Sequence, residues 1–129
     1  MILIPEWQKI VHQRNIEKGF YEGNNATNID RKILLAVGEL IEAQNELRSG
    51  HAPTEIYFPS LSEGAPTDVP GYMYCAEKGT KPEGFGIELA DTVIRILDLA
   101  EYLKVDLETC MQLKHAYNKT RSYRHGKAF

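Results

Sequence analysis

Two pairs of acids stand out by their spacing. Glu39 and Glu42 are three residues apart, and so are Glu88 and Asp91. On a helix, that separation puts both side chains of a pair on one face. Four carboxylates brought together repel one another strongly unless a cation neutralises them. Oxygen-only ligands suit Mg²⁺ or Mn²⁺, and Mg²⁺ commonly shares its shell with substrate phosphates. Each pair also has a plainer reading. Glu39 and Glu42 lie nearly opposite the stripe of Val37, Leu40, Ile41 and Leu47, as on the solvated face of any amphipathic helix. Around Glu88 and Asp91 the pattern is apolar nearly all round, through Ile87, Leu89, Val93, Ile94, Leu97 and Ala100. A helix of that kind is buried on several sides, where a carboxylate needs a partner. Arg95 is one candidate partner and a cation is the other. A di-iron centre of the ferritin type is set aside, because neither pair is Glu-x-x-His.

The elements that must hold these pairs read as helices. The first spans about Pro5 to Lys18, with Pro5 suited to a first turn and Gly19 to a stop. The second spans about Ile29 to Arg48, capped by Asn28 and followed by Gly50. The third spans about Gly86 to Leu103, and the fourth about Asp106 to Arg121 with Asp106 as its cap. A basic tail, Ser122 to Phe129, closes the chain. Between the second and third helices, residues 49–84 hold five of the six prolines and five of the ten glycines. That density of breakers predicts a non-helical arm or lid. Ile56-Tyr57-Phe58 and Tyr72-Met73-Tyr74 within it are candidates for a small hairpin. If the second and third helices pack antiparallel, the two acid pairs are offset by about four residues, roughly 6 Å along the axis. A long connection allows that adjustment.

The bulk numbers fit one soluble domain of 129 residues, 43% hydrophobic and 26% charged. A net charge of -3 gives no general pull toward nucleic acid or acidic membranes. No apolar run reaches the ~18 residues of a membrane span. Two cysteines, Cys75 and Cys110, are too few for a disulfide framework. With no signal peptide read in Met1–Ile10, a cytoplasmic setting is expected. Cys110 reads as a small core residue. Trp7 reads as a core aromatic or, with His12, as the border of a base pocket.

The chain resembles the MazG-type all-α nucleoside triphosphate pyrophosphohydrolases. The resemblance rests on Glu39-Leu40-Ile41-Glu42, on Glu88-Leu89-Ala90-Asp91 and the run to Cys110, and on Lys114, Asn118 and Arg121 as K-x3-N-x2-R. Lys18-Gly19-Phe20 is similar to the end of that family's first helix. Residues 49–84 fall outside the resemblance, being a longer connection than the family usually has.

The resemblance implies a four-helix MazG-like bundle with a Pro/Gly-rich insertion, assembled as a homodimer or dimer of dimers. It implies Mg²⁺ held by Glu39, Glu42, Glu88 and Asp91, with Mn²⁺ as a substitute. The expected reaction cleaves an NTP or dNTP between the α- and β-phosphates, giving a monophosphate and pyrophosphate, in clearing the nucleotide pool. One of the four, with Glu39 and Glu42 the first candidates, would take the proton of the attacking water. Lys114, Asn118 and Arg121, at i, i+4 and i+7, would bind phosphate oxygens; without the resemblance they read as a solvated basic end favoured by the helix dipole. A catalytically inactive helical module of the same fold is the main alternative. A nucleic-acid-binding role for Lys114 to Lys127 is disfavoured by the overall acidity.

Overall fold

Asn28 starts the helix that carries the first acid pair. Its side-chain oxygen accepts the Arg31 N–H at 3.0 Å, satisfying one of the donors that a helix leaves open at its first turn. In the computed structural model, which describes residues 1–23 and 26–128, the elements are α1 (Ile4–Glu17), α2 (Ile29–Arg48), α3 (Val69–Glu77), α4 (Phe85–Tyr102) and α5 (Leu107–Thr120). The protein is all-α: among the described residues there is no strand, only an isolated antiparallel bridge between Tyr57 and Glu83. Among them, too, no helix is long and apolar enough to cross a membrane. Phe129, the end of the basic tail, lies outside the described residues.

The chain divides into two compact units. The first comprises Met1–Thr27 and Leu97–Phe129. Here α1 packs on α5. Gln8, buried on α1, donates to Val105 O at 3.0 Å and accepts the Leu107 N–H at 3.3 Å, fixing the turn into α5. Asp106 caps α5 through the Thr109 N–H and hydroxyl, as its position predicts. Among the described residues, Val11, Leu97 and Ala100 are the buried apolar side chains of this unit. Asp98 is buried as well, with its carboxylate accepting the Tyr21 hydroxyl at 2.8 Å and meeting His12 Nδ1 at 2.8 Å.

The second unit is Asn28–Ile96. It departs from the sequence expectation at α3, where the hairpin strand Tyr72-Met73-Tyr74 is helical instead. The breakers stand at the ends of this helix. Asp68 caps it through the Gly71 N–H at 3.0 Å, Pro70 occupies the first turn where no N–H is needed, and Gly79 follows the end at φ +88°. Gly71 also has a steric task, since a Cβ there would come within 2.6 Å of the Pro66 Cβ. The other hairpin piece pairs elsewhere. Tyr57 and Glu83 exchange backbone hydrogen bonds of 3.1 and 2.8 Å just before α4. Gly84, at φ +141°, admits the Glu55 carbonyl to a point 2.3 Å from where a Cβ would sit.

Two single-residue expectations also change. Cys110 is exposed on α5, and Trp7 is 40% exposed on α1, so neither is a core residue of this chain.

Candidate metal centre

In the second unit α2 turns its acids inward and its apolar stripe outward. Glu39 keeps only 12% of its side chain exposed and Glu46 only 14%. Leu40 is 48% and Ile41 53% exposed, with Val37 and Leu47 similar. Ala43 is the buried residue of this helix. Periodicity identifies two faces of a helix but does not say which is inside. The solvated-face reading of Glu39 and Glu42 therefore fails for Glu39, although Glu42 itself stays exposed.

The acids meet across α2 and α4. Glu39, Glu42 and Glu88 each offer a carboxylate oxygen within 4.8 Å of the others. Arg95, two turns along α4 from Glu88, reaches back to Glu39, with Nε to Oε1 at 2.9 Å. Glu83, just before α4, lies instead with Glu46, two turns along α2 from Glu39. The two helices thus run antiparallel, and three of the four paired acids meet while Asp91 is in neither group. Asp91 stands one turn past Glu88, within electrostatic reach of both Glu39 and Glu88.

Crowding of like charges in a poorly hydrated site sets the proton affinities. Burial, then contact with Glu39 and Glu42 and the charges of Glu42 and Asp91, push the Glu88 carboxyl up to about 8. Burial and the Glu39 charge raise Asp91 too, against the opposing pull of Arg95 and Lys81. At Glu39 burial works in the same direction, but the Arg95 hydrogen bond and charge, together with contact with Glu88 and Glu42, outweigh it and hold the carboxyl below its ordinary value. Glu88 is only 6% exposed, and its Oε2 has no hydrogen-bond partner. A buried, unpaired carboxylate oxygen among other carboxylates is costly. A divalent cation would satisfy it, and the donor set is all oxygen, as Mg²⁺ and Mn²⁺ prefer.

Lys114, Asn118 and Arg121 belong to the first unit, on and just after α5. The Lys114 ammonium and the Arg121 guanidinium both lie over the Tyr117 ring, at 5.1 and 5.6 Å from its centroid. Arg121 is the C-cap, its N–H bonded to Asn118 O at 3.3 Å. His12, expected near a base pocket, is engaged with Asp98 and edge-on to Tyr21 at 4.8 Å.

Sequence reasoning missed Glu46, Glu83, Tyr57 and His51. Glu46 follows Glu39 and Glu42 at i+7, so the helical face that linked the pair already contained it. Glu83 had no such signal, since the bridge to Tyr57 brings it in. His51 has no metal-ligand spacing in the sequence, and in the structure its Nδ1 lies 2.8 Å from Glu55 Oε2 and its ring stacks on Tyr57.

No protein-family model matches the chain, and neither does any curated protein or solved structure.

Proposed function

We propose that this protein is a Mg²⁺-dependent nucleotide pyrophosphohydrolase of the MazG type, which hydrolyses an NTP or dNTP to the monophosphate and pyrophosphate. The observation that carries the reading is the meeting of Glu39, Glu42 and Glu88, the last a buried acid with one carboxylate oxygen that lacks a hydrogen-bond partner. The motif resemblance supplies the reaction; the acid cluster supports a divalent cation for it.

Glu39, Glu42, Glu88 and Asp91 would hold the metal. Bound there, Mg²⁺ supplies charge neutralisation for the phosphates and a lowered pKa for the attacking water. Arg95 lowers the basicity of Glu39, which favours Glu42 for accepting the water's proton. Lys114, Asn118 and Arg121 are assigned to phosphate oxygens by the resemblance alone.

The exposed apolar row of α2 supports assembly. Ile33, Leu34, Val37, Leu40, Ile41 and Leu47 are all more than a third exposed. Covering the remaining area of such side chains stabilises an interface by about 1 kcal/mol each. A second copy of the chain is the partner proposed for this face. The cellular role is removal of non-standard or excess nucleotides in a reducing cytosol.

The test is a panel of NTPs and dNTPs with Mg²⁺, with both products identified. Pyrophosphate with a nucleoside monophosphate supports the reading. Orthophosphate with a diphosphate, or no turnover of any member, contradicts it.

A further inference from the structure

The acidic face of α2 continues past the pair that motif spacing selects. Glu46, Glu83 and Glu88 form a second group whose carboxylate oxygens all lie within 4.8 Å of one another. It shares Glu88 with the first group. Glu88 is the buried residue whose Oε2 has no partner, so one unsatisfied carboxylate faces two sets of acids.

The other two members are held in position. The Tyr57 hydroxyl donates to both oxygens of Glu46, at 3.0 and 2.9 Å. His51 stacks on the Tyr57 ring, with centroids 4.3 Å apart and planes within 10°, and its Nε2 lies 3.8 Å from Glu46 Oε2. Glu83 is fixed by its two backbone hydrogen bonds with Tyr57. Tyr57 thus orients one acid through its side chain and the other through its backbone. The Glu83 carboxylate pairs with Lys81 at 3.0 Å, but that side chain is 80% exposed on a flexible stem. An ion pair of this kind contributes little and yields readily to a divalent cation.

We propose that Glu46, Glu83 and Glu88 hold a second divalent cation, Mg²⁺ or Mn²⁺, with Glu88 the ligand shared with the ion on Glu39 and Glu42. The proposal rests on the reading of the first group as a metal site. Tyr57 and His51 are positioning residues for Glu46. Paired metal sites of this type clamp both the attacking and the leaving oxygen of a phosphoryl displacement.

The experiment is calorimetric titration of the full chain with Mn²⁺ alone, no nucleotide present, with electron paramagnetic resonance on the same samples and circular dichroism on each variant. The wild type is expected to take up two ions per chain and give the exchange-coupled spectrum of neighbouring Mn²⁺ ions. Glu46→Gln and Glu83→Gln are each expected to take up one ion and give an uncoupled spectrum. Tyr57→Phe keeps all three acids, so it serves if a Glu variant fails to fold; it is expected to weaken the second ion by about tenfold. A wild type that binds a single ion, lost in Glu42→Gln and kept in Glu46→Gln, overturns the second site and leaves the first standing. Two ions that persist in both Glu46→Gln and Glu83→Gln overturn it as well. No binding in the wild type overturns both readings.

Discussion

Arg95 Nε lies 2.9 Å from Glu39 Oε1, tying α4 to α2 across 56 residues of sequence. The sequence had offered Arg95 as a partner for the acids of its own helix. It bonds to the opposite helix and helps hold the Glu39 carboxyl down, while burial and contact with Glu39 and Glu42 push Glu88 up.

Arg95→Gln tests that division of roles. The pair is partly exposed, so its loss should cost the metal-free protein at most about 1 kcal/mol. A competitor for Glu39 is removed at the same time. The rise in thermal midpoint on adding Mg²⁺ is therefore expected to be larger in the variant than in the wild type. An equal or smaller rise contradicts the competition.

The Glu88 carboxyl predicts an unusual pH dependence. Its affinity for a proton is raised in the folded chain, to about 8, above the ~4.3 of an unfolded glutamate. Between those values the folded state binds more protons than the unfolded state, so stability is full below the window and falls as pH rises through it. The thermal midpoint of the chelator-treated protein is expected to drop from about pH 5 to about pH 8, and Glu88→Gln is expected to flatten the drop. Divalent affinity should rise over the same window, because the ligands must ionise. A metal-free midpoint that climbs with pH contradicts this assignment.

The outward apolar row of α2 predicts assembly. Ile41→Glu places a charge in that row, where Ile41 is 53% exposed. Light scattering after gel filtration is expected to find the wild type as a dimer or larger and the variant shifted to monomer. A monomeric wild type at micromolar concentration refutes the proposed face.

Lys114→Ala tests the phosphate assignment. The residue is exposed, so helicity should be unchanged. KM for the nucleotide is expected to rise about tenfold, the loss of one charge-assisted contact. An unchanged KM returns Lys114 to the role of a solvated helix end.

Much of the fold was legible because local chemistry set it. Asn28 and Asp106 cap α2 and α5 as their positions predict, and the ends of α1 and α4 differ from expectation by one residue. Helix α3 is not legible, because Pro70, Gly71 and Gly79 read as breakers, yet each sits where a helix end accommodates it. The acid pairs were visible from their i, i+3 spacing, but the inward turn of Glu39 was not. Nothing in a two-faced helix says which of its sides faces inward. Glu83 lay beyond reach for a different reason: its place depends on the Tyr57 bridge and the close passage of Glu55 O at Gly84, contacts that no periodicity encodes.

In the proposed function, the acids of α2 and α4 work together on a metal-bound nucleotide. The most direct test is pyrophosphate release by wild type, Glu42→Gln and Asp91→Asn across a Mg²⁺ titration, on the nucleotide that the wild type turns over best. The wild type should be inactive with chelator and saturate with Mg²⁺, and each variant should lose about 100-fold or more at every Mg²⁺ concentration. Variants that match the wild type, or turnover that persists in chelator, would contradict the account.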